Sequence, residues 1–484
     1  VQGPRLQFLR HFPGVNSKRT RLKREASPGH RLCNPSESSK MGATVQDLMQ
    51  ETATIKGAQP IPVGALGIRL EKCGRAGRSR HRPRPRRSGR GRIQEEPGNG
   101  IDLSEKNDID FSEMDVEDVI KVMKAAVGNP QVQQQGFQAL WSKAGDPQNH
   151  QEVARADGIS TVVKAMTEQH ESGELQLAGM NVLEMMTSGD PMHTKTMVDA
   201  NGIAAISNAM IQHLSKADLQ AAGCKILCNV AKHDADCQEK VAKSGAAQAV
   251  LDAMRANASN STIQELGCHA LKEFAAFNAE SQEDIYMRGG IQAVLRAMET
   301  FPDLPNLQVM GCGVLRNLAA CNSQQQQAVV SRGGIQVVLD AMAKHKEHSL
   351  MQWAGCWTLF CLCVHNAEMR SEVYAYGAAR AALKALEAHR LEARVQEAGC
   401  WLLKELAEHM ASCKDRATFS AAIQASLKAV EKYPGNQAVE KAARTALQKL
   451  SAFDKEGWVK MACLGRCGRL GRTATMRTLE AIQE

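Results

Sequence analysis

Five cysteines recur at one spacing: Cys224, Cys268, Cys312, Cys356 and Cys400, each 44 residues after the last. A column of thiols invites a metal or redox reading. Zinc, however, needs ligands gathered within about 2.3 Å of one ion, and copies a whole structural layer apart cannot share it. The closer pairs, Cys361 with Cys363 and Cys463 with Cys467, lack matching second pairs. His233, His269, His365 and His409 fall on or just after one recurrent helix pattern, where solvation or capping accounts for them. There is no G-x-S-x-G, no phosphate-cradling G-x-x-x-x-G-K-[ST] and no H-E-x-x-H. The expectation is a protein that is not an enzyme, with no catalytic residue, metal or cofactor.

The elements that place these cysteines form a repeat. Each Cys follows a glycine in a ladder that runs Gly136, Gly179, Gly223, Gly267, Gly311, Gly355 and Gly399. One further step lands on Ala443. A second ladder keeps the same beat: Met123, Met166, Met210, Met254, Met298, Met342, Leu386 and Val430. Two ladders sharing a period across about eight copies mark a repeat architecture. Within one copy, SQQQQAVVSR predicts a short helix and Gly333–Gly334 a sharp reversal. Ile335, Val338, Leu339 and Met342 then share one helix face, and LMQWAGCWTLFCLCV predicts a third, more buried helix. No single copy can cover its own apolar faces, so copies must stack into a solenoid. The end layers need polar caps, and the acidic stretch 102–118 stands where the first is required.

The GGI…V…M turn-helix followed by Q-x-x-G-C-x-x-L-x-x-L-A resembles the armadillo repeat, with its glycine turn at 289–290, 333–334 and Gly377. The 44-residue beat is similar to the Gly-Cys-bearing armadillo arrays of protists and algae, and to the armadillo region of leucine-rich-repeat kinases. The resemblance covers about residues 112–453. It implies an all-α, right-handed superhelical solenoid of about eight repeats that binds an extended polypeptide in a concave groove lined by third helices. Counted from the motif glycine at 100° per residue, offsets +4, +7 and +8 form the core face and +2, +6 and +9 lie opposite. The groove residues so implied are Lys225, Asn229, His269, Glu273, Asn317, Trp357, Trp401 and Glu405. Importin-alpha pairs Trp and Asn as W-x-x-x-N at these places. Here Cys361 follows Trp357, Glu405 follows Trp401, and no copy holds both ladder residues. Glu273, Glu405 and the acidic balance of the repeat region lead to the expectation of a partly basic partner.

Charge divides the chain. Residues 1–100 carry 21 Lys and Arg against 7 Asp and Glu, so in a chain of net charge +8 the repeat region is acidic. Residues 74–92 hold nine Arg among Gly, Pro and Ser, a composition that builds no core and is expected to be disordered. Arg80, Arg82, Arg84, Arg86 and Arg87 are the candidates for polyanion contact, though no aromatic side chains interleave for base stacking. A nucleic-acid-binding protein that uses this leader, with the array as platform, is therefore the alternative function. Residues 101–111 read as an acidic linker or cap and 454–484 as a basic tail. Met41 opens MGATVQDLM, which suggests that 1–40 are translated leader; an organelle transit peptide is the alternative. Residues 1–24 lack a signal peptide's apolar core, and no apolar run reaches the ~18 residues of a membrane span. The cysteines then read as reduced, and the expected location is the cytoplasm, with the nucleus as alternative.

Overall fold

The computed structural model describes residues 109–454, except 144–146, 321 and 414. The leader with its arginines, the linker up to 108 and the tail from 455 lie outside the described residues. Among those described there are 22 helices and no strand. The first unit comprises α1 (Val116–Ala125) and α2 (Pro130–Lys143). Asp115 caps α1 through the Asp118 amide at 2.8 Å, and Glu117 and Asp118 stand in its first turn, where negative charge is favoured.

Six three-helix units follow. They are α3–α5 (Pro147–Arg155, Gly158–Glu168, Gly173–Gly189), α6–α8 (Pro191–Asp199, Gly202–Gln212, Ala217–His233) and α9–α11 (Ala235–Lys243, Ala246–Ala256, Ser261–Phe274). Then come α12–α14 (Ala279–Met287, Gly290–Thr300, Pro305–Ala319), α15–α17 (Ser323–Ser331, Gly334–Lys344, Ser349–Cys363) and α18–α20 (Ala367–Ala375, Ala378–Ala388, Ala393–Ser412). The last unit is α21 (Arg416–Lys432) and α22 (Gln437–Phe453).

The turn between first and second helices needs one residue with positive φ. Gly245, Gly289, Gly333 and Gly377 supply it at 76° to 91°, and Asp157 and Asn201 at 63° and 64°. These are the residue types that tolerate the left-handed region. In the last unit the equivalent position is Ala421. No reversal forms there, and the first two helices fuse into the single α21.

The glycine ladder is a contact requirement. A Cβ on Gly311 would stand 2.6 Å from Met298 Sδ and 2.7 Å from its Cγ, and the same clash recurs between Gly267 and Met254 and between Gly355 and Met342. Second and third helices thus meet at a bare backbone with a methionine laid across it. The cysteine that follows each glycine is buried in every copy from Cys224 to Cys400.

The glutamine three residues before each glycine closes the unit. Gln133, Gln176, Gln220, Gln264, Gln308, Gln352 and Gln396 each donate from Nε2 to two carbonyl oxygens at the end of the second helix. Gln308, for example, reaches Met298 at 2.8 Å and Phe301 at 3.0 Å. A helix leaves its last carbonyls without intrahelical partners, and buried ones must be satisfied from elsewhere.

Units are fastened to each other at the loop between second and third helices. His213, Asn257, His345, His389 and Tyr433 each meet a carbonyl oxygen 43 residues earlier, at 2.7–3.2 Å. Third helices also pack directly on one another, far more extensively than most neighbouring second helices do, so they line the inner face of the array.

Candidate functional site

The inner face presents offsets +2, +5, +6 and +9 of each third helix. The +5 column was not among the residues expected from the sequence, although at 140° from the glycine it belongs to the same half of the helix. It decides what the face looks like, because +5 of one unit meets +2 of the next. Glu184 pairs with Lys225 at 3.1 Å. Lys272 lies over Gly313, where a Cβ would come within 2.7 Å of its Cδ. Phe360 packs on Trp401 with ring centroids 6.3 Å apart, and on Trp357 within its own helix at 5.3 Å.

The eight candidate residues therefore sit in different settings. Lys225 is exposed and Asn229 and His269 are half-buried. Trp357 and Trp401 are only 4% and 6% exposed, closed over by Phe360 and, at Trp401, by the Lys404 ammonium 5.6 Å from the ring. Both indole Nε1 atoms are buried without a hydrogen-bond partner. Asn317 is 5% exposed, and its Nδ2 donates to the Lys272 carbonyl of the preceding unit at 2.9 Å.

The acidic candidates are answered by the chain's own cations. Glu273 Oε1 lies 2.7 Å from Lys272 Nζ and 3.5 Å from His269 Nε2. Burial alone would raise the Glu273 carboxyl, but the His269 and Lys272 contacts outweigh it and hold the group down at about 2. Burial, opposed by Glu273, lowers His269 from its ordinary value. Glu405 stands 2.6 Å from Lys404 and 3.5 Å from Arg370. The charge of both glutamates is thus already met by cations of the chain itself. Arg316 adds a further cation to the middle of the face. It stacks over Trp353 at 5.4 Å and donates to Asn317 Oδ1 at 3.3 Å. With Lys232, whose charge also bears on Glu273 and His269, the middle units place four cations, Lys225, Lys232, Lys272 and Arg316, along with Glu184, Glu273 and His269.

A family model described as the LRRK2 ARM repeat matches residues 160–451. Among curated proteins, none matches the sequence. Among solved structures, an engineered protein from the Northeast Structural Genomics Consortium aligns with a TM-score of 0.58 at 17% identity, over 77% of this chain and all of its own. A designed armadillo repeat protein aligns at 0.46 and 15% identity, over 51% of this chain and 99% of its own. Another designed armadillo repeat protein, in complex with the peptide (KR)4, aligns at 0.45 and 15%, with the same coverage. The family match spans more than half of the chain, from the second helix of the second layer into the last layer. The chain belongs to the LRRK2 ARM repeat family.

Proposed function

We propose that this protein is a non-enzymatic scaffold that binds an extended polypeptide along the inner, third-helix face of its array. The observation that carries this reading is the contrast between columns. The buried positions repeat Gln, Gly and Cys from layer to layer, whereas +2 runs Asn181, Lys225, His269, Gly313, Trp357 and Trp401. Packing imposes the first pattern; the second is set partly by the +5 neighbour of each +2 residue, and its accessible members, Lys225 and His269, are the ones a partner would read. Lys225, Asn229 and His269 offer the accessible contacts, and Glu273, Asn317, Trp357, Trp401 and Glu405 shape the floor beneath them. The place of action in this reading is the cytoplasm, with the nucleus as the alternative. No described helix is long and apolar enough to cross a membrane.

The test is selection of peptides on the full chain from a displayed library, followed by affinities for a Lys225→Ala, Asn229→Ala, His269→Ala variant. A loss of tenfold or more with unchanged helicity supports the reading. Equal affinity places binding on another face. The second reading rests on the nine arginines of 74–92. It predicts polyanion binding that weakens steeply with salt and is abolished when those arginines are replaced.

A further inference from the structure

One junction between units departs from the others. The first helix of a unit is capped by a short polar side chain: Asp190, Asp234, Asn278, Asn322, Asn366 and Asp415 each accept a hydrogen bond from the helix's first turn. Capping is served equally by Asn and Asp, whatever stands beside it. Histidine precedes the cap at Asp234 and also, as His365, at Asn366, but only at Asp234 does a cysteine follow three residues later. The equivalents of Cys237 are His193, Ser281, Gln325, Met369 and Thr418. Cys237 is thus surplus to the needs of the turn, and only here do a histidine and a cysteine flank the same cap.

Their donor atoms converge. His233 Nδ1 lies 2.8 Å from Asp234 Oδ2 and 3.9 Å from Cys237 Sγ, and all three ligand atoms fall within 4.8 Å of one another. The arrangement does not suit a cysteine nucleophile with a histidine base. Thiol and carboxylate both meet the same ring nitrogen, so the ring cannot pass a proton from one to the other. It does suit a cation seated among three different donors. Four ligands at about 2.0–2.3 Å in a tetrahedron stand roughly 3.3–3.8 Å apart, so shifts of about half an ångström would suffice. The histidine's other nitrogen, Nε2, is buried with no partner, so Asp234 alone favours a proton on Nδ1. Asp234 is 45% exposed and gives entry from solvent, while Cys237 closes the floor at 1% exposed.

We propose that His233, Asp234 and Cys237 form a binding site for a divalent cation of the zinc class, with its fourth position open to solvent. The mix of imidazole, thiolate and carboxylate selects zinc or cobalt over magnesium and calcium, which take oxygen ligands. On binding, the Cys237 thiol gives its proton to solvent and the His233 ring carries its proton on Nε2, so affinity falls as pH falls.

The test is titration of the reduced full chain with Co2+, followed by the thiolate-to-cobalt charge-transfer absorption. One equivalent is expected to develop the band and zinc to displace it. Cys237→Ser is expected to abolish it. Asp234→Asn keeps a capping side chain, as in three other units, and is expected to weaken binding tenfold or more with the fold intact. The proposal is overturned if no band forms at excess cobalt, or if Asp234→Asn binds as tightly as the parent. A band that survives in Cys237→Ser would likewise overturn it, by assigning the metal to other cysteines.

Discussion

Asn317 donates from Nδ2 to the Lys272 carbonyl oxygen at 2.9 Å, one unit back along the array. The amide that a peptide-binding ladder would hold out to a ligand is here engaged with its own scaffold. Asn317→Ala is therefore expected to destabilise the array by about 1–2 kcal/mol, because it leaves a buried carbonyl without a donor. Urea unfolding measures this. A variant that loses peptide affinity at unchanged stability would instead return Asn317 to the ligand.

The glutamine clamps carry more. Gln308→Ala removes two bonds, to the Met298 and Phe301 carbonyls, and is expected to cost about 2–3 kcal/mol. The loss should be local. Hydrogen exchange should accelerate at the end of α13 and the start of α14, with α9–α11 little changed.

The paired ladders predict a rescue. Gly311→Ala drives a Cβ into Met298 and is expected to cost about 1–3 kcal/mol. The chain contains its own compensation: in the last unit Ala443 replaces the glycine and Val430 replaces the methionine. Met298→Val added to Gly311→Ala is expected to recover at least half of the loss. A double variant no more stable than the single one would show that the two ladders are independent.

Glu273 sets an acid limit. Its carboxyl sits at about 2 in the fold against an ordinary 4.5, so the unfolded chain binds the proton more readily. The stabilisation is present above pH 4.5 and is lost as pH falls from there through about 2. Its size at neutral pH is at most about 3 kcal/mol. Glu273→Gln should lower stability at pH 7 and flatten the acid side of the profile, read by urea midpoints from pH 7 to pH 2.5.

Much of this architecture was legible because packing repeats what it demands. Every unit faces the same contact between second and third helices, so the Gly and Met ladders mark the layers directly. The glutamine was equally constant in the motif, yet its role was hidden. Its bonds run to carbonyls 10 and 7 residues back, and backbone groups leave no trace in residue types. The left-handed turn was legible at Gly289, Gly333 and Gly377 but not at Gly245, which lacks the second glycine of the first two, nor at Asp157 and Asn201, which reach the same φ without glycine. The inner face was least legible. Whether Trp401 is open or covered depends on Phe360 in the unit before it, a neighbour that helical periodicity within one unit does not supply.

The edge ladder ties each loop to one 43 residues away, and the clamps reach 10 residues at most. The bonds described for the array join residues within one layer or in adjacent layers. Contact order is accordingly low, and native contacts become available as soon as a single layer and its neighbour exist. Such a chain can nucleate in any unit and grow in both directions. During synthesis each layer can settle onto its predecessor before the next has emerged, and under stress the array should fray from its ends inward.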